Sequence, residues 1–185
     1  MHSFRKSLML AGLGALALSA TTAASARSPI VGGAPMYANR TIVQNASKAR
    51  NLTTLVAAVT AAGLVDTLSS KGPFTVFAPT NAAFAKLPAG TVETLVKPEN
   101  KATLTGILTY HVVPGRITAA QIAAMAAHHR GTATLKTVQG ESLRFMKHGA
   151  GWVIIDAKGG KSRITMANVF QSNGVVHVID TVLMP

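Results

Sequence analysis

Cysteine is absent from the 185-residue chain. That excludes a disulfide framework, a thiolate metal site and a cysteine nucleophile. Acid is nearly absent too: Asp66, Glu93, Glu99, Glu141, Asp156 and Asp180 are the only carboxylate side chains, and they are scattered. No close pair suggests the two-carboxylate chemistry of a glycosidase. Aromatic residues make up 5%, and Tyr37, Tyr110 and Trp152 are not interleaved with basic residues as a base-stacking platform requires. Specific nucleic-acid recognition is therefore not expected. Long apolar runs are missing: Leu8–Ala20 falls short of the roughly 20 residues that span a bilayer, so no transmembrane segment is expected in a mature chain.

The familiar catalytic and cofactor patterns are also missing. There is no G-x-S-x-G elbow. Gly159-Gly160-Lys161-Ser162 imitates the tail of a phosphate-binding loop, but Ile155 stands where the earlier glycine is required, and the segment reads as a turn. His128-His129 and His148 lack the spacing of a metal site, since adjacent histidines point apart on most backbones. No enzyme activity, cofactor or metal is expected.

What the chain has is apolar bulk and positive charge. Apolar residues reach 48% against 13% charged, the balance of a chain that folds around a core. Lysine and arginine number 18, for a formal charge of +12. Residues 1–26 read as a cleaved signal peptide: Arg5 and Lys6 precede the apolar run, and Ala24-Ser25-Ala26 supplies a cleavage site. The expected location is periplasmic or secreted. Residues 27–40, with Pro29, Gly32, Gly33 and Pro35, read as a flexible leader, and residues 41–185 as one domain.

Within that domain helices come first. Leu52, Leu55, Val56 and Val59 form a stripe at helical period, with Asn51 as N-cap and Gly63 at the end. Phe74–Ala78 reads as a strand, and Thr80 caps a brief helix. Helical pieces follow near residues 90–96, 99–108 and 118–127. Then come short β-branched runs at 133–138, 143–147, 152–156, 164–170 and 175–179, separated by Gly- and Asn-containing turns. Helices followed by antiparallel strands indicate an α+β fold. Val175–Ile179 lacks polar alternation, so both its faces should be covered.

Three segments carry a family likeness. Phe74–Phe84 resembles the first box of fasciclin domains, Leu108–Gly115 their central Tyr-His box, and Asn173–Asp180 their closing box. The order and spacing match over nearly all of residues 41–185. The resemblance implies a fasciclin fold, a sandwich or wedge of about seven strands with a flanking cluster of helices. It also implies an extracellular adhesion or matrix module without enzymatic activity, similar to secreted bacterial single-domain members. In animal members partner binding is attributed to the Tyr-His segment and to an Asp-Ile pair before the closing box. The matching positions here are Tyr110, His111, Asn168 and Val169, the acidic residue being replaced by Asn168.

Several expectations about individual residues follow. Thr80, Asn81 and His177 are structural motif residues, with His177 buried beside Val175 and Ile179 and Asn81 one candidate partner for its ring. Tyr110 and His111, read as strand residues, point to opposite faces, one inward and one toward solvent or a partner. Arg130, Lys136, Arg144, Lys147, Lys158, Lys161 and Arg163 outnumber Glu141 and Asp156 in residues 128–163. Gathered on one face, they make an anion-attracting patch. The chain thus reads as a monomeric exported binding module for a cell-surface protein or polysaccharide. Electrostatic capture of acidic envelope polymers, whether polysaccharide or lipid head groups, is the alternative.

Overall fold

A computed structural model describes residues 28–185, so the signal peptide expected at 1–26 lies outside the described residues. The chain opens with a hairpin, β1 (Ile30–Val31) and β2 (Ala34–Pro35). Gly32 and Gly33, both at positive φ, make its turn. Val31 and the following Met36 are buried in the core. The segment from residue 28 on is thus part of the domain, which corrects the expectation of a flexible leader: two apolar anchors outweigh the freedom that Pro and Gly suggest.

Helices α1 (Ile42–Ala46), α2 (Thr53–Ala62) and α3 (Val65–Ser69) follow. Thr41 starts α1 with a capping box through Gln44. Gly63 ends α2 in the left-handed conformation. The expected N-cap at Asn51 is replaced: Leu52 holds that position without a side-chain bond. The helix start is instead capped from outside by Asn81, whose Oδ1 accepts the Thr54 N–H at 3.0 Å.

Strand β3 (Phe74–Pro79) leads into α4 (Asn81–Ala85), capped by Thr80 as read from the sequence. Helix α5 (Thr91–Leu95), a 3₁₀ turn at Pro98–Asn100 and α6 (Lys101–Tyr110) precede β4 (Val112–Pro114). Helix α7 (Ala119–His128) carries a Thr118–Gln121 capping box. Five strands complete the chain: β5 (Thr132–Lys136), β6 (Ser142–His148), β7 (Gly151–Ile155), β8 (Lys161–Gln171) and β9 (Gly174–Ile179).

Seven strands form one sheet in the order β4-β3-β9-β8-β7-β6-β5. It curls until its edges meet, the Val138 N–H bonding to the Val112 carbonyl at 2.8 Å. The fold is therefore α+β with a nearly closed, barrel-like sheet. All its described pairings are antiparallel except β3 with β9, which run parallel in register from Phe74↔Gly174 to Pro79↔Ile179. Every residue of β9 is buried, as its uninterrupted apolar run requires.

Two cores result. Helices α1, α2, α4 and α6 pack Ile42, Leu55, Val59, Phe84 and Leu104 against Val76, Val176 and Val178 on one side of β3 and β9. On the other side Phe77, Tyr110, Ile122, Leu143, Phe145, Ile154, Ile179 and Leu183 fill the curl of the sheet. Adjacent positions of β3 and β9 feed opposite cores, which is why neither strand shows polar alternation.

Candidate functional site

Tyr110 is the last residue of α6 and His111 its C-cap, so the strand placement of this pair is corrected. Both side chains are inside, at 0% and 2% exposure. The Tyr110 hydroxyl accepts the Ala157 N–H at 2.8 Å, and burial raises its pKa. His111 Nδ1–H donates to the Ile107 carbonyl at 2.8 Å, while Nε2 accepts the Leu183 N–H at 3.0 Å. Both ring nitrogens are engaged in the neutral form, and burial lowers the His111 pKa to about 4. Neither side chain presents a surface to a partner; the helix continues to Tyr110 because Leu104, Ile107 and Leu108 bury its inner face.

His177 is buried as expected, at 0% exposure, but Asn81 is not its partner. Nε2–H donates to the Ile117 carbonyl at 2.9 Å, and Nδ1 accepts the Asn168 N–H at 3.4 Å. Its ring stacks on that of Phe77, its register partner in β3, at 5.4 Å and 19°. Burial lowers its pKa as well. Asn81 serves elsewhere: besides capping α2, its amide donates to the Arg50 carbonyl and to Thr53 Oγ1.

Asn168 sits where the β8–β9 register shifts, between Met166 and Val169, with φ of 59°. An asparagine tolerates that left-handed conformation better than a branched residue. Its Oδ1 accepts the Ala119 N–H at 2.9 Å and so caps α7. Asn168 is half-buried and Val169 is 1% exposed. Three of the four contact positions implied by the resemblance are thus core residues, and the fourth is spent on a helix cap.

The closing box holds one structural residue that sequence reasoning missed. Asn173 Oδ1 accepts the Ile42 N–H at 3.0 Å, and its amide donates to the Leu68 and Ser70 carbonyls. A buried Asn with every group bonded ties α1 and α3 to the β8–β9 turn.

The seven basic residues of 128–163 are all exposed, and strand register decides which share a face. Arg144 lies opposite Ile155, and Ile155 opposite Lys161; Met146 lies opposite Val153, and Val153 opposite Arg163. Lys136 pairs with Ser142 on the same face, which is the outer one, since Leu135, Leu143, Phe145 and Ile154 at the alternate positions are buried. Lys136, Arg144, Lys161 and Arg163 therefore form one outer set. Lys147 has the opposite parity, across from Trp152. Arg130 and Lys158 occupy turns at the ends of the strands.

On this outer face lies an open groove of about 440 Å³ whose lining includes Met146, Val153, Ile155, Lys161 and Arg163. It also includes Lys86 and Asp180, which sequence reasoning did not connect with the patch. Lys86 Nζ lies 3.7 Å from the Asp180 carboxylate and bonds to Thr181 Oγ1 at 3.2 Å. Asp180 also accepts the Arg163 N–H at 2.8 Å. Burial opposes its charge, but that N–H, the Thr181 hydroxyl and the cations Lys86 and Arg163 outweigh it and lower the pKa. Among the described residues no group of three or more histidines and carboxylates could hold a metal, and no helix is long and apolar enough to cross a membrane.

Comparison with known proteins agrees with this architecture. Residues 50–185 match the family model described as Fasciclin domain. Protein sll1483 of Synechocystis is 49% identical over 160 residues, covering 86% of this chain and 81% of its own. The cell surface glycolipoprotein MPB83 of Mycobacterium bovis is 43% identical over 122 residues, covering 66% of this chain and 48% of its own. Among solved structures, the FAS1 domain pair of the insect cell adhesion molecule fasciclin I superposes with a TM-score of 0.70 at 20% identity. That match covers 79% of this chain and 51% of the pair, a likeness of fold alone. With its three boxes interlocked around β3 and β9 and a family model matched over most of its length, the chain belongs to the fasciclin domain family.

Proposed function

We propose that the chain is an exported, non-enzymatic binding module of the cell surface or extracellular matrix that works through its outer surface. One observation carries this reading. The distinctive polar side chains of the three boxes, Asn81, Tyr110, His111, Asn173 and His177, all have internal hydrogen-bond partners. Neither buried histidine is hydrogen-bonded to a hydroxyl nucleophile; their ring nitrogens meet main-chain groups. The boxes are scaffold, and what remains for recognition is the exposed skin. A surface relative such as the mycobacterial glycolipoprotein is consistent with that role. The test is attachment of the purified domain to intact cells of its own species. Saturable attachment is expected; none above a cysteine-free control protein of equal charge would end the reading.

A second reading is favoured by strand register: electrostatic capture of acidic envelope polymers by the outer set Lys136, Arg144, Lys161 and Arg163. Exposed charges are screened beyond about 8 Å at physiological ionic strength. Pulldown from envelope at two salt concentrations should therefore show capture that collapses as salt rises. Capture that is indifferent to salt would remove this reading.

A further inference from the structure

We infer that the outer-face groove between β6–β8 and the α4 end is a binding site for an anionic polysaccharide chain, with Lys161 and Arg163 as charge contacts and Val153 and Ile155 as its floor. The inference rests on the reading of the outer face as the contact surface and assigns that surface a ligand class.

The charge arrangement comes first. Lys161 and Arg163 are two positions apart on one strand, so their side chains leave the same face roughly 7 Å apart. Lys147 and His148 at the end of β6 and Lys86 at the end of α4 also line the groove, and Arg144 lies beside it across Ile155. The one carboxylate in the lining, Asp180, is already engaged by Lys86, Thr181 and the Arg163 N–H. It fixes the groove wall; its ion pair is with Lys86 and its charge also acts on Arg163, while Lys161 is not ion-paired to it. A row of cations with no competing free acid recognises a chain of repeated anions.

The floor then selects among such chains. Met146, Val153 and Ile155 give the groove an apolar base, with Met146 44% exposed. A bilayer surface needs apolar groups that project beyond the charges; here Val153 and Ile155 are half-buried at the bottom of a concavity. An acidic peptide gains most of its affinity by adding to a free sheet edge, yet β6, β7 and β8 are interior strands with both neighbours in place. Along its floor the groove offers no free strand edge, since Val153 and Ile155 are paired on both sides. A polysaccharide suits that: its carboxylates or sulfates meet the cations while the C–H faces of its rings lie on the aliphatic floor.

The experiment measures binding of the purified chain to polygalacturonate and to dextran sulfate, with neutral dextran, phosphatidylglycerol–phosphatidylcholine vesicles and polyglutamate as comparisons. Both acidic polysaccharides should bind and neutral dextran should not. Lys161→Gln and Arg163→Gln should each weaken binding about tenfold, with Arg163→Lys recovering most of the loss. Val153→Trp, which fills the floor without changing charge, should weaken it by a similar factor. If its melting temperature falls, Met146→Trp at the more exposed floor position, equally neutral, replaces it. Lys136→Gln and Lys158→Gln, outside the groove, should change affinity less than about twofold. Equal losses from substitutions inside and outside the groove would overturn the groove while sparing a diffuse basic face. Tighter binding to the vesicles or to polyglutamate than to either polysaccharide would replace the ligand class. No binding to any anionic probe would overturn both groove and basic face, leaving the cell-attachment assay to decide the broader reading.

Discussion

The imidazole of His111 and the main-chain amide of Leu183, 72 residues apart in sequence, meet at 3.0 Å in the interior of the protein. The ring can accept that N–H only while Nε2 carries no proton. Asp156 Oδ2 takes the next amide, Met184 N–H, at 3.1 Å. The segment after β9 is held by two side-chain acceptors, and a proton on His111 Nε2 removes one of them.

Acid should therefore weaken the fold in a defined window. Burial lowers the His111 pKa from 6.5 to about 4. Below pH 6.5 the unfolded chain takes up a proton that the folded chain refuses, so stability falls as pH drops from 6.5 toward 4. Linkage puts the loss from this residue at up to about 3 kcal/mol, and His177, shifted the same way, adds to it. Urea midpoints measured from pH 7.5 to 4 check this; a midpoint constant over that range would show that the rings are not buried neutral.

His177→Ala leaves the Ile117 carbonyl and the Asn168 N–H without their ring partner. The expected cost is about 1–3 kcal/mol, read from chemical denaturation. Wild-type stability in the variant would place the ring at the surface.

Asn81→Ala removes the acceptor that caps α2 from a different segment and two donor bonds to Arg50 and Thr53. A loss of about 1–2 kcal/mol is expected. Asn51→Ala should cost less, because its Oδ1 makes no hydrogen bond. Comparing the two variants separates the cap observed at Asn81 from the one the sequence suggests at Asn51.

Gly174→Ala drives a methyl carbon into the Phe74 carbonyl oxygen, closer than any Cβ can sit. Since that carbonyl belongs to the first rung of the parallel β3–β9 pair, backbone must shift. Destabilisation of about 3 kcal/mol is expected, and a melting temperature equal to wild type would contradict the close approach.

Much of this fold was legible because long periodic or β-branched runs leave a mark. The stripe from Leu52 to Val59, the Thr118 start of α7 and the Gly-bounded strands from β5 to β9 fall where their patterns place them. Some of the shortest elements did not: α1 and α3 are too short to show a period, and the β1–β2 hairpin hides among prolines and glycines whose neighbours Val31 and Met36 happen to be buried. Tyr110-His111-Val112-Val113 has strand-like composition, yet packing of Leu104, Ile107 and Leu108 carries α6 through its first residue. Side-chain pairing was the least legible layer. Asn81 and His177 belong to different boxes, and which carbonyl or amide each meets depends on crossings that sequence spacing does not encode. The groove was half visible for the same reason: its strand cations lie within one stretch, while Lys86 arrives from α4.

Strand β9 lies in the interior of the sheet and comes last in the chain, and its parallel partner β3 precedes it by a hundred residues. A chain short of residue 174 lacks the strand that ladders β3 to β8, leaving the Val112–Val138 edge as the join between the two groups of strands. The long loop between β3 and β9 closes only when the last strand docks, so the final residues of the chain complete the sheet.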